Sequence, residues 1–174
     1  MGEALFELKD FGAEVLRIWT ASENFRNDVR VSPEILSGIS QTYRKVRNTM
    51  RYMLGNLDGF DPGRDLMPVK DLLPLDRWML ARVEQFKRRA LSAYDKSEFH
   101  IIYHGLNHLC TVDLSALYFD LVRDRLYCEL PAGRETKSAR AAIWLALDAV
   151  VRLMAPIMAY TAEEIYDLMP VKDK

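Results

Sequence analysis

Proline and glycine interrupt this chain at only a few places, and between them the apolar residues recur at helical spacing. Ser32-Pro33 opens one such interval. Ser is a favoured N-cap, Pro is tolerated at the first helical position, and Glu34 falls in the first turn. The next break, Asp58 to Asp76, holds a third of all the chain's prolines and glycines and reads as a loop. Pro131 with Gly133, then Pro156, then Pro170 supply the later breaks. The intervals predict long helices over Pro33 to about Leu57, Arg77 to Tyr94, a Ser97 cap to about Tyr127, and Thr136 to Ala155. Phe11 to Ser22 carries Val15, Leu16, Ile18 and Trp19 on one helical face. Thr161 and Glu164 have capping-box spacing and predict a last short helix, Ala162 to Met169. Asp28 to Val31 alternates polar and β-branched residues and is expected as a short strand. The expected fold is all-α: an antiparallel bundle of about four long helices, a short C-terminal helix and a small N-terminal segment.

A chain of 174 residues is most simply one domain, and with 49% apolar residues it can bury a substantial core. No apolar run is long enough to span a bilayer, and MGEALFELKD lacks the basic and apolar regions of a secretory leader. Phe6 stands where a myristoylation signal needs Ser or Thr. Cys110 and Cys128 make no disulfide framework, which fits a reducing cytoplasm. The net charge of -1 carries no information about partners, so only the local distribution of charge can.

That distribution is uneven. No Asp or Glu occurs from Ile35 to Leu57, although the chain holds 25 acids against 24 bases. At an advance of about 100° per residue, Arg44, Arg47, Asn48 and Arg51 fall within an arc about 100° wide. Ile39, Tyr43, Val46, Met50, Met53 and Leu54 occupy the opposite side. Lys45 and Tyr52 flank the basic arc, off the apolar face. Solvated helix faces usually mix signs, and a stripe without acids repels itself. Nucleic-acid phosphates are the obvious compensating anion, because Arg matches them bidentately, and Tyr52 could offer a ring face to an unstacked base. The alternative is a helical protein-interaction module whose basic face meets an acidic protein.

WTASENFRNDVRVSPEIL (Trp19 to Leu36) and YRKVRNTMRYMLGNLDGF (Tyr43 to Phe60) closely resemble isoleucyl-tRNA synthetases of the bacterial type, which are class I synthetases. LPLDRWMLARV, CTVDLSALYFDLVRDRLY and LMAPIMAYTAEEIYDLMP fit the same family, the last being shared with the valine and leucine enzymes. The resemblance implies a helical-bundle anticodon-binding domain over residues 33–174, preceded by a stem-contact segment over residues 1–32. It implies tRNA(Ile) as partner, held through Arg44, Lys45, Arg47, Asn48 and Arg51, to which the helix reading adds Tyr52 as a tRNA-binding candidate. The same domain of a valyl-tRNA synthetase is the alternative within the family. The family's ATP-site signatures, its editing domain and its zinc-binding cysteine cluster have no counterpart here. Catalysis, ATP-Mg and zinc are therefore expected to belong to catalytic, editing and C-terminal parts of a longer enzyme, to which this chain would be covalently linked. The chain alone is expected to be a catalytically inactive cytoplasmic monomer without cofactor, metal or membrane partner, and Met1 is expected to be foreign to it.

Four further features need placing. His100, His104 and His108 recur every four residues, which can put two imidazoles on one ion, but the third drifts about 80° from the first. They are expected as surface or half-buried histidines, near phosphate if near any ligand. Asp113 falls inside the apolar arc of its helix, so it is expected to be clamped to an Arg or a helix N-terminus rather than to act as a catalytic acid. Trp19, Trp78 and Trp144 lie on apolar stripes and are expected in the core, while consecutive Lys87, Arg88 and Arg89 fan around their helix as a solvated surface.

Overall fold

The computed structural model describes residues 2–130 and 133–170, with side chains from Phe11 onward, and those residues are helical without a strand. α1 (Gly2–Ser22) is two helical pieces joined at Gly12, whose φ of 78° lies where a side chain would be strained. α2 (Pro33–Gly55) starts as expected: Ser32 Oγ accepts from the Ile35 amide at 3.3 Å and Pro33 takes the first helical position. Its far end is held by Arg140, which donates to the Asn56 carbonyl at 3.0 Å and to that of Asp58, and lies over the Phe60 ring. The loop that follows contains a short α3 (Pro62–Asp65) and a 3-10 turn (Val69–Asp71). α4 (Pro74–Asp95) leads into one continuous rod: α5 (Phe99–His108), a π-helical segment (Leu109–Tyr118) and α6 (Phe119–Tyr127). α7 (Arg134–Met154) and α8 (Ala159–Leu168) complete the bundle. Pro131, expected as a breaker, lies outside the described residues.

Named contacts give the directions. Ser138 Oγ accepts from the Leu73 amide at the starts of α4 and α7, and Tyr94 Oη donates to the Leu153 carbonyl near their ends, so these two run parallel. Thr49 meets Ser115 and Tyr52 meets Phe119, so α2 and the rod also run parallel. Asp76 and Arg82 on α4 meet Tyr118 and Asp113 on the rod in reverse order, so successive long helices alternate in direction. The result is the expected antiparallel bundle, with α4 and α7 packed side by side across it. α7 is its central helix. Ala139, Ala141, Ala142 and Ala146 are all fully buried there, and their small side chains let neighbouring backbones approach closely. Trp19, Trp78 and Trp144 are partly buried and pack against the core.

Four expectations need correction. Asp28 to Val31 is no strand; it is an exposed connection tied down by Trp19, whose indole N–H donates to the Arg30 carbonyl at 3.2 Å. Ser97 does not cap α5. Its φ is 57°, its amide bonds the Tyr94 carbonyl at 3.0 Å, and the Glu98 amide bonds that of Ala93 at 2.8 Å. That pattern is a Schellman ending for α4, with Ser97 at the left-handed position. Thr161 and Glu164 form no capping box, because α8 begins earlier and both side chains are drawn to α2. The third helix is not uniformly α. Within its π segment Thr111 and Ser115 turn to α2, Asp113 to α4 and Tyr118 to the buried Asp76. Thr49 Oγ1 lies 3.4 Å from the Cys110 carbonyl at the start of the segment, a side chain inserted where the ladder widens.

Asp76 is fully buried in the first turn of α4. It accepts from Tyr118 Oη at 2.6 Å and from Ser138 Oγ, and Arg125 Nη1 stands 3.7 Å away. Burial beside this carboxylate pushes the Tyr118 phenol well above its ordinary value. Asp76→Asn replaces an acceptor with a donor facing two hydroxyls, and should cost about 2–3 kcal/mol in chemical denaturation. Ser97→Gly should do the opposite. Removing a Cβ from a left-handed residue is expected to add about 0.5–1 kcal/mol, and an unchanged denaturation midpoint would refute the Schellman assignment.

Candidate nucleic-acid interface

The six residues expected on the basic helix are all on α2, and the tertiary structure divides them. Leu36, Ile39, Val46, Met50 and Met53 are buried, which turns the opposite face outward. Arg44 sits exposed on the ridge. On one side of it Lys45, Asn48 and Tyr52 line a cleft of about 500 Å³ between α2 and the rod. On the other side Arg47 and Arg51 line a smaller depression against α8.

The cleft has chemistry that the sequence reading did not name. Thr111 and Ser115 of the π segment and Asp120 and Arg123 of α6 form its far wall. Arg123 Nη2 and Asp120 Oδ1 are 2.6 Å apart and both side chains are mostly exposed, so this pair edges the opening. Tyr52 rests on Phe119 with ring centroids 4.5 Å apart, which covers one ring face. Burial, then the neighbouring Tyr127 hydroxyl, push the Tyr52 phenol up to about 12, so it is a neutral donor at physiological pH. Lys45 leaves the cleft with one net positive charge, since Arg123 is paired with Asp120, while the amide and hydroxyls offer donors and acceptors with no fixed sign. The only sequence trace of this wall is the four-residue spacing of Thr111 and Ser115. That spacing means little until the partner helix is known.

Arg47 differs from its neighbours. Its Nη2 donates to Glu164 Oε1 at 2.6 Å and its Nη1 to Tyr43 Oη at 3.2 Å, while Tyr43 Oη also meets Thr161 Oγ1 at 3.0 Å. These bonds raise the Arg47 guanidinium above its ordinary value. Arg47 is thus a clamp between α2 and α8, with its side chain still 43% exposed. Arg44, Lys45 and Arg51 make no ion pair among the described residues.

The remaining groups fall as follows. Asp113 is clamped by Arg82 in two parallel bonds, Nε to Oδ1 at 3.2 Å and Nη2 to Oδ2 at 3.3 Å, which is the arginine clamp expected of it. Lys87 and Arg88 both pair with Glu84 on the solvated side of α4. His100, His104 and His108 share a different cleft, and no group of three or more His, Cys, Asp or Glu among the described residues is placed to hold a metal ion. Both cysteines are free. No helix among the described residues is long and apolar enough to cross a membrane.

Residues 76–174 match the family model described as the anticodon-binding domain of tRNA ligase. The chain belongs to that family. Among its relatives, the isoleucine–tRNA ligase of Syntrophotalea carbinolica is 47% identical over 94% of this chain and 18% of that protein. That of Symbiobacterium thermophilum is 45% identical over 94% of the chain and 17% of the relative. That of Geobacter sulfurreducens is 43% identical over 96% of the chain and 18% of the relative. The chain thus spans under a fifth of the length of the curated relatives it matches. All three carry the isoleucine name, which disfavours the valine alternative. In this anticodon-binding domain the family match covers α4 to α8, so the basic helix α2 lies outside the matched residues while the far wall of its cleft lies inside them.

Glu14 on α1 supports the same region from beneath. Its carboxylate is buried against the Tyr160 and Thr161 amides of α8, with Arg17 and Arg47 nearby. Burial outweighs those groups and holds its carboxyl above the ordinary 4.5. A native pKa raised above the unfolded value gives a contribution that is complete below the unfolded pKa and lost as pH rises through the native one. Glu14→Gln should therefore become progressively more stable relative to the native protein as pH climbs from about 4.5 toward neutrality. Parallel melting curves across that range would show that Glu14 ionises without cost.

Proposed function

We propose that this chain is the tRNA anticodon-arm binding domain of an isoleucine–tRNA ligase, and that it positions tRNA(Ile) for aminoacylation by a catalytic domain outside the chain. The observation that carries this reading is that α2 has no acid after Glu34 and turns its basic face outward beside a polar cleft, on a chain of the anticodon-binding family. In this reading Arg44, Arg51 and Lys45 lie against the phosphates of the arm. Their ammonium and guanidinium groups make no ion pair among the described residues and are free to meet phosphates. Arg47 adds charge while holding α2 on α8. Asn48, Tyr52, Thr111 and Ser115 receive an unstacked base, with the Tyr52–Phe119 pair as an apolar wall. Residues 1–32 approach the stem. The bundle contributes no chemical step; it converts binding energy into orientation, and activation of isoleucine with ATP-Mg, editing and zinc binding belong to other parts of the enzyme. The domain acts as a cytoplasmic monomer.

The test is direct binding of tRNA(Ile) transcript and of the same transcript with a foreign anticodon. The unaltered chain should prefer the first, with log affinity falling about 0.7–0.9 per log unit of salt for each phosphate engaged. The triple variant Arg44→Glu, Lys45→Glu, Arg51→Glu should lose about a hundredfold in affinity, about 3 kcal/mol. It should also keep its stability within about 1 kcal/mol, because these side chains are exposed and unpaired. Undiminished affinity in that variant would remove α2 from the interface, and equal affinity for both transcripts would favour a general polyanion binder.

A further inference from the structure

A second cationic cleft lies between α4 and α5, on a different side of the rod from the α2 cleft and independent of the anticodon-arm reading. It encloses about 400 Å³. His100, His104 and His108 line one side; Arg82, Gln85 and Arg89 line the other. The two helices approach closely because Gly105 has no side chain: a Cβ there would come within 3.1 Å of the Phe86 ring. That contact floors the cleft and lets imidazoles and guanidiniums face each other across it.

The charge balance is one-sided. The only acid in the lining is Asp113, and both its oxygens are engaged by Arg82. Arg89 is exposed and has no ion pair among the described residues. His100 lies in the first turn of α5, where unpaired amides favour an anion, and its Nδ1 is shielded from solvent without a hydrogen-bond partner. Other charged groups near α5 are committed elsewhere. Glu98 stands 3.9 Å from Arg26, and Arg17 and Glu23 of α1 border a separate depression with Phe99. The basic residues of α2 line the clefts described above, and Tyr103 contacts the edge of His104 at 5.0 Å. A metal ion is disfavoured by the two arginines in the same cleft, which repel a cation.

We propose that the α4–α5 cleft is a second phosphate-binding site, in which Arg89 and the imidazoles of His100, His104 and His108 hold a phosphate oxyanion. Imidazole N–H groups can donate to an oxyanion beside the Arg89 guanidinium. The phosphate can belong to an RNA backbone passing this side of the bundle or to a small phosphorylated ligand. The site requires only the oxyanion.

The experiment follows the imidazole NMR signals of the full chain during titration with sulfate, a tetrahedral dianion whose own charge is constant near neutrality. Sulfate should shift the signals of His100 and His104 at about pH 6. The double variant Arg89→Ala, His104→Ala alters two exposed side chains and should bind sulfate at least about tenfold more weakly. The Arg44, Lys45, Arg51 triple variant should respond to sulfate like the unaltered chain, which separates this site from the anticodon-arm reading. An anticodon stem-loop RNA that moves the same signals assigns the phosphate to RNA; one that leaves them still assigns the site to a small phosphate ligand, and either supports the cleft as a phosphate site. Absence of a sulfate response at about pH 6, an equal response in the double variant, or a response to Zn²⁺ without one to sulfate would overturn the proposal.

Discussion

The buried carboxylate of Asp76 is the constraint on which the rest of the architecture depends. A buried carboxylate is costly unless it is paired and hydrogen-bonded, and here the partners come from three other elements: Tyr118 from the π segment and Ser138 from α7 donate to it, and Arg125 from α6 adds a charge 3.7 Å away. Ser138 also accepts from the Leu73 amide, which fixes where α4 begins. Apolar packing among helices tolerates sliding by a fraction of a turn, whereas this network does not. It sets the register of α4, α6 and α7 together, and with it the position of the π segment between them.

The π segment transmits that register to the candidate interface. Three polar anchors pull on it from different directions: Asp76 through Tyr118, Arg82 through Asp113, and Thr49 through Ser115. A regular α-helix through these ten residues would present its side chains in a different angular order. The widened turn accommodates all three anchors, and it turns Thr111 and Ser115 toward Lys45, Asn48 and Tyr52. The α2 cleft thus has one wall made by local sequence pattern and another made by long-range polar contacts. Arg47 performs a similar service at the opposite edge, where its bonds to Glu164 and Tyr43 seat α8 against α2.

Features whose physics is confined to a few neighbouring residues were legible before any coordinates. Ser32 caps α2 because its hydroxyl reaches an amide three residues on, and the helix needs nothing else to start there. The proline-rich break after Gly59, the apolar stripe of α2 and the internal clamp on Asp113 follow in the same way from turn chemistry, periodicity and the cost of burying a charge. The failures share one cause. Ser97 looked like a cap, but the chain needed a left-handed residue to end α4. Thr161 and Glu164 had capping-box spacing, but stronger partners stood on another helix. Asp76 and the far wall of the α2 cleft left no local mark, since their partners lie about 40 to 70 residues away in sequence.

Residue order alone settles that this chain is a helical bundle and that α2 presents a face without acids, because helical periodicity and charge spacing are properties of one segment in water. It also carries the family likeness. Which basic side chains remain free, which one is bound to Glu164, and how the histidines come to face Arg89 across a cleft are decided only when helices distant in sequence meet. Ion pairing and cleft formation depend on distances between elements, and those distances exist only in the folded core.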